Sequence, residues 1–161
     1  MIRYARAADQ PAIADVVTQA FGGPDEADLV TRLRADGDVL FELVSEDDGK
    51  VGGHILFSRL WADRAEMYAA LAPLAVRPDL QRSGLGSALI QTGLQYLKEF
   101  GAHGVLVLGH PAYYPKFGFS AEAARQVSAP YAGSPAFMAL ALEAGAFDAP
   151  LSVAYPDAFS A

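Results

Sequence analysis

With 161 residues, 52% of them hydrophobic and 19% charged, and no cysteine, the chain can bury a core without disulfides or metals, fits one domain over 1–161, and is too apolar for disorder. A formal charge of −7, from 19 acidic and 12 basic residues, argues against general nucleic-acid binding, which needs clustered Lys and Arg on phosphates. Apolar runs such as "AALAPLAV" fall far short of the ~20 residues of a membrane span, and no signal-peptide pattern opens the chain, so a cytoplasmic protein off the membrane is expected.

"MIRYARAAD" reads as a short strand running into a cap. Asp9 suits an N-cap and Pro11 the first turn, and Ile13, Val16, Val17 and Ala20 follow at helical spacing, so a helix is predicted from about Gln10 to Ala20, stopping at Gly22-Gly23. In "DEADLVTRLRAD" Ala27, Val30, Leu33 and Arg34 share one side of a second helix ending at Gly37. "VLFELVSE" and "KVGGHILFSRL" are β-rich runs around Asp48-Gly49, a hairpin signal, and "EMYAALAPLAV" is a further strand. From Gly84 the period changes: Leu85, Ala88, Leu89, Thr92, Tyr96, Leu97 and Phe100 recur at helical steps until Gly101. "GVLVLG" is a short strand apolar on both faces, "PAYYPKFGF" an irregular or briefly helical connection, and "AFMALALE" and "PLSVAYP" are late strands that also leave room for pairing in a homodimer. The strand, helix 84–100 and "GVLVLG" form a right-handed βαβ unit. The expected class is therefore α/β (α+β), with a mixed, mostly antiparallel sheet of about six or seven strands flanked by helices.

Glycine at a helix mouth costs about 1 kcal/mol against Ala, so "LAVRPDLQRSGLGSAL" poses a question. One answer is close packing. The other is an anion site, because unpaired N–H groups and the helix dipole favour negative charge at a helix start. Gln81, Arg82, Ser83, Gly84, Leu85, Gly86 and Ser87 supply that geometry for a pyrophosphate, with Arg82 adding charge. Neither a Walker A ending nor a Rossmann G-x-G-x-x-G is present.

The stretch resembles the acetyl-CoA-binding motif of the GNAT acetyltransferase superfamily, Gln/Arg-x-x-Gly-x-Gly/Ala after a strand and turn, with Gln81, Gly84 and Gly86 at the motif positions. "GHPAYYPKFGF" resembles the Gly-Asp-Pro-x-Tyr-Tyr-x-x-Phe-Gly-Phe segment of one branch, with His110 standing where that branch more often has Asp. The resemblance implies a pair of splayed parallel strands with pantetheine between them. Leu74, Ala75 and Val76, after Pro73, would pair with it, Leu74 N–H would polarise the thioester carbonyl, and His110 would face the site. It also implies acetyl transfer from acetyl-CoA to a primary amine of a small molecule or peptide, with Tyr114 as general acid for the leaving thiolate; Tyr113 is the neighbour that competes for that role. No carboxylate lies on the strand from Tyr68 to Val76; Glu26, Glu42 and Glu66 are the alternatives to proton loss through water. His54 and His103 read as structural or surface residues, no cluster has metal-ligand spacing, and Ser83 and Ser87 suit phosphate contact or capping. A non-catalytic acyl-CoA sensor or complex subunit is the alternative function.

Overall fold

Each apolar period becomes an element, and the computed structural model describes residues 1–160. A short strand β1 (Ile2–Tyr4) leads to helix α1 (Gln10–Phe21), which buries Ile13, Val16 and Val17 and ends at Gly22 in the left-handed region. Asp9 does not cap α1 as expected. A 3-10 turn over Ala7–Asp9 intervenes, and the Asp9 carboxylate accepts Arg6 N–H at 2.7 Å and the Arg3 guanidinium at 2.7 and 2.9 Å. Helix α2 (Asp25–Ala35) buries Val30 and Leu33. Strands β2 (Val39–Asp47) and β3 (Lys50–Ala62) form the expected hairpin, with Asp48 and Gly49 both at positive φ as its tight turn requires. Then come β4 (Tyr68–Val76), α3 (Leu85–Glu99), β5 (Gly104–Leu108), a two-residue β6 (Val127–Ser128), β7 (Phe137–Ala141) and β8 (Leu151–Ala154).

The sheet runs β1-β2-β3-β4-β5-β7, with β8 joined to β3 and to β6. Along the main path only β4 and β5 are parallel. The two late strands, β7 and β8, find their partners within the chain. One face packs on α3 through Phe57, Leu89, Ile90 and Leu97, and Gly93 is needed there because a Cβ would stand 2.3 Å from the Phe57 ring. The other face packs on α1 through Val16, Val17, Val44 and Ala75, and on α2 through Val30, Leu33 and Leu56. Among the described residues no helix is long and apolar enough to cross a membrane.

Two irregularities open the sheet. The β4–β5 register ends at Leu71↔Val107. Against β3, Leu71 faces Phe57 but Leu74 faces Ile55, so three steps on β4 meet two on β3 and the extra residue lies at Ala72-Pro73, a cis peptide. Proline has no N–H to give a ladder and is at home in such a bulge. Beyond it β4 keeps β3 on one side and, among the described residues, pairs with no strand on the other.

A buried polar network fastens α2 to the sheet. Glu42 on β2 accepts Arg34 of α2 at 2.8 and 2.9 Å and the His54 Nε2 of β3 at 2.8 Å. Glu42 is thus committed to this network, and its side chain is only 10% exposed. Burial pushes its carboxyl up, but the hydrogen bonds from His54 and Arg34 outweigh that and hold it at about 2. Burial lowers the His54 pKa despite the opposing pull of Glu42, a shift that favours the neutral ring with its Nε2–H on the carboxylate.

A histidine buried neutral must exclude a proton that the unfolded chain accepts below 6.5, so its stabilisation is complete above that pH and is lost as pH falls. Between pH 7.5 and 5.5 the protein should lose more stability than a His54→Gln variant, which retains an N–H donor. Chemical unfolding at both pH values measures this, and parallel slopes would contradict it.

Candidate active site

Beyond the bulge, β4 alternates. Leu74 and Val76 turn their side chains to a cleft, whereas Ala75, 2% exposed, turns into the α1 core and contributes only backbone to the site. The chain then makes a 3-10 turn over Pro78–Leu80. Gln81 Nε2 donates to Val76 O at 3.1 Å and Ser83 Oγ donates to Leu80 O, so both side chains secure the loop. Arg82 adopts φ 65 and Gly84 φ 88. A non-glycine residue in that region carries strain of order 1 kcal/mol. Helix α3 starts at Leu85, and the N–H groups of Leu85, Gly86 and Ser87 have no partner among the described residues. They are the free donors of a helix start.

The two glycines serve different needs. A Cβ on Gly84 would meet open space, so its backbone conformation is what matters. A Cβ on Gly86 would lie 3.2 Å from the Tyr113 hydroxyl and 3.6 Å from Val76, so close approach is what matters there.

After β5 the connection holds the two tyrosines apart. The Tyr113 and Tyr114 N–H groups both donate to His110 O, and a 3-10 turn over Tyr114–Phe117 ends at Gly118, φ 99. The Tyr113 hydroxyl lies 3.4 Å from Ser87 Oγ, over the start of α3, with Lys116 Nζ 4.2 Å from its ring centre. Tyr114 turns inward, edge-on to Phe119 at 5.7 Å, and its ring fills the space where Gly109 lacks a side chain. It is 7% exposed, and its hydroxyl has no hydrogen-bond partner among the described residues. Burial, with a smaller contribution from Tyr113, pushes its pKa up to about 12, so it stays an O–H donor.

These parts surround one cleft in two connected hollows of about 780 and 320 Å³, which share Phe21, Leu74, His110 and Tyr113. The larger holds Arg82, Lys116 and the first turn of α3, with no carboxylate. The smaller holds Tyr114 and the wall formed by the parting of β4 and β5, with Glu26 as its single carboxylate. A third hollow of about 760 Å³ across the loop sets Asp47, Asp48 and Asp79 beside Lys50, Arg77 and Met1, so a polyanion there would meet three carboxylates. Of the candidate bases, Glu66 is exposed in the β3–β4 connection and only Glu26 lines the cleft. Lys116 and Phe21 join the site unannounced by spacing; a two-residue step from Tyr114 in a tight turn is the only local signal for the lysine.

The model of the acetyltransferase (GNAT) family matches residues 11–119. The uncharacterized N-acetyltransferase YjhQ of Escherichia coli is 44% identical over 117 residues, 69% of this chain and 64% of YjhQ, so the chain spans slightly under two thirds of that relative. The uncharacterized N-acetyltransferase YhbS of the same organism is 38% identical over 125 residues, 76% of this chain and 75% of YhbS. The crystal structure of YhbS in complex with CoA superposes with a TM-score of 0.91 at 34% identity, covering 100% of this chain and 92% of YhbS. A GNAT family acetyltransferase from Brucella melitensis in complex with acetyl-CoA superposes at 0.82 with 34% identity, covering 99% and 97%.

A methyl group at Gly109 would stand 2.4 Å from the Tyr114 ring, which is packed edge-on to Phe119 on its other side. Gly109→Ala should therefore cost about 1–3 kcal/mol of stability, as overpacking does. Denaturant unfolding checks this; a variant as stable as the parent would show that the ring is not seated there.

Proposed function

Because the chain belongs to the acetyltransferase (GNAT) family, we propose that it transfers the acetyl group of acetyl-CoA to a primary amine, with the cofactor's diphosphate on residues 81–87. The observation that carries this is the coincidence of free helix-start N–H groups, Arg82 and Lys116 in a carboxylate-free hollow that opens directly onto Tyr114. Polyanion chemistry fits the first part: N–H donors, the helix dipole and two cations act together there. The glycine loop leaves room for phosphate oxygens, and the β4 backbone at residues 74–76, open toward β5, suits an extended amide-bearing arm. YhbS and the Brucella protein were crystallised with CoA and acetyl-CoA, which supports the same ligand here. The proposal takes the whole of 1–161 as one acetyltransferase domain.

The thioester supplies an electrophilic carbonyl carbon. An amine nitrogen attacks it, the C–N bond forms, the C–S bond breaks, and the electron pair leaves on sulfur. Leu74 N–H is our assignment for the donor to the carbonyl oxygen as it gains charge, a role that in other oxyanion sites is worth roughly 3 kcal/mol. Tyr114 is assigned to the sulfur. A hydroxyl at about 12 opposite a thiol of ordinary acidity, about 8.5, makes complete proton transfer uphill by roughly 5 kcal/mol. Tyr114 therefore acts as a hydrogen-bond donor to the developing thiolate, and the proton that finally neutralises sulfur comes from the amine by way of water. Holding both reactants in one cleft contributes on the order of 7–11 kcal/mol without a dedicated base.

Tyr114→Phe should lower kcat ~100-fold, within the usual range for losing one hydrogen-bond donor to developing charge, while acetyl-CoA affinity stays within about twofold. Arg82→Ala combined with Lys116→Ala should do the reverse, weakening acetyl-CoA ~10-fold or more and flattening its salt dependence. Titration calorimetry with acetyl-CoA and thiol-release kinetics with an amine panel read both. Unchanged turnover in Tyr114→Phe would refute its role, and binding with no turnover for any amine would favour the sensor.

A further inference from the structure

Resting on the reading just given, we propose that Glu26 is the group that recognises the acceptor, and that the hollow beside Tyr114 selects amines whose positive charge sits on a compact apolar stem over amines that also bear a carboxylate. The hollow measures about 320 Å³, at the small end for ligand pockets. Phe21, Leu29, Pro73, Leu74 and Leu108 make its walls apolar. Into it faces the half-buried Glu26, which has no ion pair and no side-chain hydrogen bond among the described residues. The other titratable groups lining it are His110, Tyr113 and Tyr114, and Arg32, which shares the neighbouring hollow with Glu26, makes no ion pair with it among the described residues, so no cation lines this hollow.

A carboxylate set in an apolar wall is costly unless a cation meets it. The α2 helix start offsets part of that cost, but it does the same for Asp25 and Asp28, which line with Arg32 a second hollow that Glu26 also borders. Of the three acids only Glu26 also lines the hollow that holds Tyr114. The missing cation is the acceptor's ammonium. An adjacent carboxylate also holds an amine protonated, so Glu26 favours binding and not attack, and its contribution belongs in KM. A carboxylate on the acceptor would meet Glu26 as a like charge in the same small space.

The test compares phenethylamine with phenylalanine, the same stem with and without a carboxylate, on the full chain and on Glu26→Gln, Glu26→Asp and Asp25→Asn. Phenethylamine should be preferred ~100-fold in kcat/KM. Glu26→Gln should raise its KM ~10-fold with kcat little changed and shrink the preference to below ~10-fold, Glu26→Asp should restore part of it, and Asp25→Asn should leave it intact. Calorimetry of phenethylamine against the coenzyme A complex should show the same loss for Glu26→Gln. Equal KM values for the parent and Glu26→Gln, or an equal effect of Asp25→Asn, would overturn the proposal. Acetyl-CoA affinity is measured on every variant: normal affinity with no discrimination overturns the role of Glu26 alone, whereas no affinity in the parent overturns the acetyltransferase reading.

Discussion

A strand that loses its neighbour halfway along must do something with its backbone. Strand β4 is held by β3 over its whole length but by β5 only as far as Leu71, and the bulge at Ala72-Pro73 turns the remainder away. Its N–H and C=O groups on that side face a cleft where a sheet would continue, and polar backbone groups so placed demand water or a ligand. The other features of the site hang from this parting. Helix α3 begins where β4 ends, which aims its free donors at the mouth of the gap. Tyr114 follows where β5 ends, and the corner between α1 and α2 brings Phe21 and Glu26 over the top.

Charge is divided along the cleft in a way the bulk composition hides. A chain of formal charge −7 repels polyanions on average, yet its larger hollow presents Arg82, Lys116 and a helix start with no carboxylate. Local potential in a low-dielectric cleft, not net charge, decides which ligand enters. The smaller hollow carries the opposite sign and the only deeply buried hydroxyl of the cleft. Anion at one end and amine at the other is the arrangement that acyl transfer from a phosphorylated thioester needs.

Local chemistry was legible and distant packing was not. Asp48-Gly49, the three- and four-residue steps from Leu85 to Phe100 and the apolar "GVLVL" each carry their period within one segment, and the structure follows them. A two-residue strand such as Val127–Ser128 has no period to detect and exists only because β8 lies beside it. Asp9 suits a cap by residue type, but the Arg3 guanidinium claims it from across a turn. The ion pair of Glu42 with Arg34, and its bond to His54, join α2, β2 and β3, so no single segment hints that this acid is already committed. In the site, the glycine loop and the tyrosine pair were visible as motifs. The inward turn of Ala75, the loop-fastening role of Gln81 and the arrival of Lys116 and Phe21 depend on strand alternation and on how the α1–α2 corner meets the gap.

We place acetyl-CoA on the backbone of β4 and the start of α3. Amide hydrogen exchange with and without acetyl-CoA reads that surface residue by residue. Slowed exchange at Leu74, Val76, Leu85, Gly86 and Ser87, with the β2–β3 turn unchanged, is the expected result. Protection elsewhere, with those five amides exchanging as before, would contradict it.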